Sequence, residues 1–384
     1  MKTTILCAAI RVVTWLLQLV YGVMKLAPVK DRVCFLSRQG DTPSIDFRML
    51  QDELRRTAPH MEQVTICHRF RHGGNGLLRF AADQLRSMRY LATSRACVVD
   101  AYWPAVSLLH HRKSLTVVQI WHSVGKIKKS GYQTLDTPSG RNGKLARALK
   151  MHRGYTYIIS GGTAWTPCYL ASFDTTPDKL RHYGLPRLDW LLQQENLRPA
   201  FEEKYPELRG KTIVLYAPTY RTYDVNPQDE LLPLFAGDKY ALICRFHPNQ
   251  HFPSPLPEAV TRYEEGDTFE WMTCCDILVT DYSSLSLEAA VLNKKIYYYL
   301  FDHDRYLREN GLNADPAEIM PRCSFEKAED LFAAIDSGDY PETELRDFQR
   351  NYLPEELGSS TRNVAALITG AETEKREDKV MEPV

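Results

Sequence analysis

The sequence has no excess of either charge: 48 Lys and Arg stand against 48 Asp and Glu in 384 residues. A nucleic-acid binder ordinarily carries a basic surplus, so no nucleic-acid partner is expected. There is no C-x-x-C pair among the nine cysteines, at 7, 34, 67, 97, 168, 244, 274, 275 and 323, which removes the usual zinc and redox spacings. Most of them lie inside apolar runs such as Val33-Cys34-Phe35, and an odd count suits reduced, buried thiols better than a disulfide framework. No acidic cluster has metal-site spacing, so neither a metal nor another cofactor is expected. Internal repeats and low-complexity tracts are missing as well. Finally, the N-terminal apolar stretch from Thr3 to Ala27 is broken by Arg11, which leaves 13 uncharged residues from Val12 to Met24. A spanning helix needs roughly 20.

What stands at the N-terminus reads instead as an amphipathic helix within residues 1–28. On a helical wheel Thr4, Arg11, Gln18, Gly22 and Lys25 share one face, and Val12, Val13, Leu16, Leu17, Val20 and Met24 the other. Trp15 and Tyr21 suit the edge of a bilayer, so a membrane surface is the expected partner. A tilted span with Arg11 snorkelling is the alternative; the residues after Ala27 make a poor signal-peptide cleavage site.

Beyond Pro28, short β-rich runs alternate with helix-length segments. One set of candidate strands is Arg32–Leu36, Gln63–Cys67, Ala96–Val99, Thr116–Ile120 and Tyr155–Ile159; a second is Thr212–Tyr216, Ala241–Arg245, Asp276–Thr280 and Lys295–Leu300. Such alternation implies βαβ units and parallel sheets. The expected fold is therefore α/β, with two doubly wound Rossmann-type domains, residues 29–190 and 191–370, facing a cleft. The segment from Gly184-Leu185-Pro186-Arg187 to about Lys211 reads as their connection. The charged tail, 371–384, reads as disordered.

In open α/β sheets ligands bind beyond the carboxyl ends of the strands, and here those positions are polar. Trp121-His122-Ser123-Val124-Gly125-Lys126 follows the first such strand. His122 has the chemistry of a general base, and Lys126, Lys128 and Lys129 bring charge for an acceptor or polyanion. Tyr216-Ala217-Pro218-Thr219-Tyr220-Arg221 follows the next, with Thr219 and Arg221 projecting from the loop; a guanidinium fork suits a diphosphate. His247, in Arg245-Phe246-His247-Pro248, can donate to a phosphate or protonate a leaving group. Thr280-Asp281-Tyr282-Ser283-Ser284 then leads into a helix, where hydroxyls and free amides favour an anion, although Ser283 can equally serve as a plain helix cap. Glu288, one turn on, is either near the same end or simply an exposed helix glutamate. The basic segment Arg141–Arg153 reads as a solvated face or as a contact for anionic lipid or polymer.

In this order, Trp121-His122, Gly184-Leu185-Pro186-Arg187-Leu188-Asp189, Tyr216-Ala217-Pro218-Thr219-Tyr220-Arg221, His247-Pro248, Thr280-Asp281-Tyr282-Ser283-Ser284 and Asn293-Lys294-Lys295-Ile296 resemble the CDP-glycerol glycerophosphotransferase family of teichoic-acid biosynthesis. The resemblance implies a GT-B fold, metal-independent phosphotransfer and a monotopic position at the cytoplasmic face of the cell membrane. It implies a CDP-activated polyol as donor substrate and a lipid-linked or polymeric acceptor. His122 resembles the residue proposed to deprotonate the acceptor hydroxyl. Arg221, His247, Ser283 and Ser284 match residues expected around the donor diphosphate, with Asp281 ordering that loop and Glu288 a candidate for the ribose. The chain departs from the family pattern at Ser123, where glycine is usual; its glycine stands at Gly125. Two rivals are a glycosyltransferase using a CMP- or UDP-sugar and a catalytically silent membrane scaffold.

Overall fold

The computed structural model describes residues 2–69, 74–194, 196–221, 223–246, 263 and 266–371. His247 lies outside the described residues, as does the expected disordered tail beyond Ala371. The chain divides into two compact units.

Unit 1 comprises Met1–Val124, Lys129–Trp190 and the chain from Pro354 onward. Its strands are β1 (Lys30–Ser37), β2 (Glu62–Cys67), β3 (Ser94–Val99), β4 (Thr116–Gln119), β5 (Tyr157–Ile159) and β6 (Leu180–Arg181), in the order β2-β1-β3-β4-β5-β6. Every pairing is parallel, with Cys34 opposite Cys97 and Cys97 opposite Val117. Continuous apolar runs fit this arrangement because both faces are covered: Val33 to Leu36 and Ala96 to Val99 are all buried. All nine cysteines are free, and burial pushes thiols such as Cys67 up, to about 12. The helix Ile45–Thr57 shows how the faces are covered. Ser44 caps it, accepting from Phe47 N at 3.2 Å, and Phe47, Leu50 and Leu54 form the buried stripe.

Two expectations about organisation change here. The unit expected to run over 191–370 stops at Leu353, because the last helix, Ser360–Thr369, packs with unit 1 against the helix Ile45–Thr57. And Gly184–Asp189, expected as connection, is a brace inside unit 1. Asp189 is 3% exposed and accepts from Ser360 N at 3.2 Å and Thr361 N at 2.7 Å, supplying the anion that a helix N-terminus favours. Arg187 is paired with buried Asp46. Gly184 has φ +71°, and a Cβ there would lie 2.9 Å from Pro354 and 3.0 Å from Ser360, so glycine is required.

Unit 2 comprises Gly125–Lys128 and Leu191–Leu353. Its strands, β7 (Thr212–Tyr216), β8 (Tyr240–Cys244), β9 (Ile277–Thr280), β10 (Lys295–Tyr299) and β11 (Ser324–Phe325), run parallel in the order β11-β10-β9-β7-β8. The four residues Gly125–Lys128 are held by Asn313, which donates to the carbonyls of Lys126 at 2.9 Å and Lys128 at 3.2 Å, and by a bridge from Lys128 to Leu312. Each sheet has one place where the strand order reverses, between β1 and β3 in unit 1 and between β7 and β9 in unit 2. A crevice opens beyond the strand ends at such a point.

The N-terminal helix runs Lys2–Met24, and among the described residues it is the one helix long and apolar enough to cross a membrane. Its C-terminal end is bonded to the rest of unit 1: Gln18 Oε1 accepts from His110 N at 2.8 Å, Tyr21 Oη meets His111 Nδ1 at 2.7 Å, and Lys25 Nζ, just past the helix, donates to His110 O at 2.9 Å, while Thr4 and Arg11 of the expected polar face are exposed. The apolar residues Ile5, Val12, Trp15, Leu16, Leu19 and Val23 are left exposed.

Candidate active site

In unit 1 the site is built on the exit from β4. Trp121 adopts φ +59°, a left-handed conformation that is costly for a bulky side chain. Packing holds it there: its N–H donates to Gln119 Oε1 at 2.8 Å and its ring lies 5.1 Å from Phe173 and 5.6 Å from His152. The reversal turns His122 out of the sheet with its ring 4.2 Å from the indole, and leaves it exposed. Its Nδ1 lies 3.2 Å from the carbonyl oxygen of Asp100 and 3.1 Å from the side-chain amide of Gln39. The two contacts suit opposite tautomers, since the Asp100 carbonyl can only accept and the Gln39 Nε2 can only donate; together they fix the position of the ring. Gln39 follows β1 and Asp100 follows β3, so His122 stands over the switch point of this sheet. Burial, with Asp46 nearby, pushes the Asp100 carboxyl up to about 7. The sequence did not single out Gln39 or Asp100; the signal was their place just past two strand ends, usable only once the strand order is known.

In unit 2 the corresponding switch point holds Thr219, Arg221 and Asp281 together. Asp281, at the end of β9, is 1% exposed. It accepts from Thr219 N at 3.0 Å and Thr219 Oγ1 at 2.5 Å, and pairs with Arg221 Nη1 at 2.9 Å. Arg221 completes its bonding with Asp302, Nε to Oδ2 at 2.7 Å and Nη2 to Oδ1 at 3.0 Å, and with the carbonyl of Thr219 at 2.9 Å. The rings of Tyr282 and Tyr306, stacked 3.9 Å apart, lie under its cation. Burial acts against the guanidinium's charge, and Asp281 and Asp302 more than offset it. The fork expected to face a diphosphate is thus filled by protein carboxylates, which fits a residue that fixes the Thr219 loop. Asp302 was the partner that sequence reasoning missed.

The remaining expected residues fall as follows. Lys128 Nζ donates to Thr219 Oγ1 at 3.3 Å, and burial brings its ammonium down to about 8 despite Asp281 nearby. Lys126 is 3% exposed, so of the three lysines Lys129 is the one in full contact with solvent. Ser283 Oγ accepts from Leu285 N at 3.3 Å, a capping role, whereas Ser284 precedes the helix Leu285–Val291 without a side-chain cap bond. Glu288 is 1% exposed, not the exposed glutamate that its helical position suggested, because that helix is buried from Ser286 to Val291. Among the described residues no group of three or more His, Cys, Asp or Glu is arranged to hold a metal ion.

Two parallel, doubly wound sheets define the class, a GT-B-like α/β protein. The solved structure of the wall teichoic acid polymerase TagF, in a variant soaked with CDPG, matches it with a TM-score of 0.71 over 97% of this chain and 98% of that one, at 18% identity. The profile of the CDP-glycerol:poly(glycerophosphate) glycerophosphotransferase family matches residues 20–370, and the chain belongs to this family of transferases. The teichoic acid ribitol-phosphate primase of Bacillus spizizenii is 27% identical over 363 residues, 90% of this chain and 92% of that protein. The teichoic acid glycerol-phosphate primase of Bacillus subtilis is 25% identical over 295 residues, 74% of this chain and 76% of that protein.

Proposed function

We propose that this enzyme transfers a glycerol-phosphate or related polyol-phosphate unit from a CDP-activated donor to a hydroxyl of a lipid-linked or polymeric wall or capsule acceptor, releasing CMP. Relatives named for ribitol-phosphate and for glycerol-phosphate support the polyol class and leave both donors open. The observation that carries the mechanism is the exposed His122, its ring positioned through Nδ1 by the Asp100 carbonyl and the Gln39 amide. Nε2 takes the acceptor's hydroxyl proton as that oxygen attacks the polyol-side phosphorus. The new O–P bond forms as the bridging P–O bond breaks, and CMP leaves with the electron pair. In this reading unit 1 serves the acceptor and unit 2 the donor nucleotide, with Ser283, Ser284, Thr219 and Lys128 near the diphosphate and Arg221 and Asp281 holding their loop. His247 is assigned to the diphosphate or the leaving group, and Glu288 to the ribose side. Phosphoryl transfer depends chiefly on positioning and charge stabilisation, so such a set suffices without a resident metal.

The enzyme works at the cytoplasmic face of the cell membrane as a peripheral or monotopic protein. The exposed apolar face of Lys2–Met24, with exposed Arg11, supports this, together with exposed Lys144 and Arg147 on a helix packed beside it. The test is CMP release from CDP-glycerol and CDP-ribitol with lipid-linked acceptors. Release from neither, with turnover of a CMP- or UDP-sugar, would replace this reading by a glycosyltransferase. Nucleotide binding without turnover of any donor would favour a silent scaffold.

A further inference from the structure

A pocket of about 420 Å³ opens within unit 1, at the carboxyl ends of β5 and β6. That volume is in the range of small-ligand sites. Gly162 on its wall follows Gly161, whose N–H donates at 2.9 Å to the carbonyl of Val124, two residues beyond His122. The pocket therefore shares a sheet edge with His122 and lies two strands, roughly 10 Å at the usual strand spacing, from β4.

Its lining is polar and of a particular kind. His182 follows β6, its Nε2 3.2 Å from Thr166 Oγ1 and its Nδ1 buried, and burial lowers its imidazole pKa against the opposing pull of the Gly161 backbone and Glu355. Asn363 is fixed by its Nδ2 bond to Ser359 Oγ at 3.1 Å, and the Thr163 hydroxyl stands at the exposed rim. The opposing wall carries the exposed carboxylates of Glu355 and Glu356. Arg181 also borders the space, but its Nη1 is engaged by the carbonyls of Asp178 and Leu180, and its guanidinium lies 4.6 Å from the Tyr157 ring. Two carboxylates outweigh the single Arg181 cation against phosphate, whereas carboxylates, an amide, a hydroxyl and an imidazole are groups that bind hydroxyls.

We propose that this pocket is a subsite for a neutral polyhydroxylated group, a sugar or polyol, and that it holds part of the acceptor while His122 receives the proton. The acceptor assignment rests on the reaction proposed above; the ligand class does not. Saturation-transfer NMR on the full chain, with N-acetylglucosamine and ribitol as separate probes, tests it, together with the phosphorus NMR line width of inorganic phosphate. At least one neutral probe receives saturation, and the phosphate line is not broadened by the protein. The signal is lost in His182→Ala and in Thr163→Trp, which fills the pocket from an exposed position, and is kept in His122→Ala. In turnover assays both pocket variants raise the acceptor KM about tenfold, the worth of one good hydrogen bond, with the donor KM unmoved. The proposal is overturned if no neutral probe receives saturation, if Thr163→Trp leaves the signal intact, or if phosphate is what binds. Failure of every CDP-polyol to turn over removes the acceptor role alone, since the NMR result stands independently of it.

Discussion

At the switch point of unit 1 the group expected to react, His122, is exposed and tied through one ring nitrogen, beside a tryptophan held at φ +59°. At the switch point of unit 2, Asp281 is 1% exposed and bonded to the amide and hydroxyl of Thr219 and to Arg221, which Asp302 grips from the other side. The same topological feature thus carries opposite local physics. A proton acceptor has to be reachable, so it gains little from burial and is positioned by strain and packing behind it. A loop that must keep its shape whether or not a polyanion is present needs internal partners that do not depend on the ligand.

The largest effect is expected on the exposed side. His122→Ala lowers turnover about 10²- to 10⁴-fold, the usual worth of a positioned general base, and leaves the thermal midpoint where it was. Turnover retained in that variant would show that the strained loop does no proton chemistry, and the comparison would lose its first term.

On the buried side the loss is of stability. Asp281→Ala leaves Arg221 with one carboxylate and removes the bonds from the Thr219 amide and hydroxyl to that carboxylate, and removing one partner of a buried pair costs about 3–5 kcal/mol. Urea unfolding measures it. A midpoint unchanged by the substitution would mean that Asp302 alone suffices, and that Asp281 acts on ligand instead.

Lys128 gives a smaller, pH-dependent test. Its folded pKa is about 8 against an ordinary 10.5, so below pH 8 the buried charge is a full cost to the folded state. Between the two values the unfolded chain binds the extra proton, and stability rises with pH. Lys128→Met should be more stable than the parent by on the order of 2 kcal/mol at neutral pH, a figure reduced because solvent reaches part of the side chain, and the gap should close by pH 10.5. A gap independent of pH would place its origin in packing.

How far the sequence foretold these differences depends on the range of the interaction. Nine strands are legible as Val-, Ile- and Tyr-rich runs because parallel strands are covered on both faces. The two-residue strands β6 and β11 have no room for a pattern. His122, Thr219 and Asp281 are legible because each directly follows a strand. Asp302 is not, since it lies 81 residues from Arg221 and nothing local marks the pairing. The bond from Ser360 N to Asp189 spans 171 residues, and for the same reason the return of the last helix to unit 1 was unforeseen. Glu288 is different, because Leu285 to Val291 is apolar nearly all round, a sign of a buried helix that went unused.

The smallest change offers the finest test of the exposed half. Gln39 approaches the same His122 nitrogen as the Asp100 carbonyl, so Gln39→Ala should cost only a few-fold in turnover, within the roughly 1 kcal/mol of one partly exposed hydrogen bond. Gln39→Glu changes charge at that point instead. A carboxylate there favours the imidazolium and should raise its pKa by about one unit. If His122 acts as a base in its neutral form, the acid limb of the kcat/KM profile moves up by that amount while the plateau is kept. If it acts as an acid, the basic limb moves up and activity extends to higher pH. The direction of one limb therefore decides whether the exposed histidine takes the proton or gives it, which no change in rate alone can do.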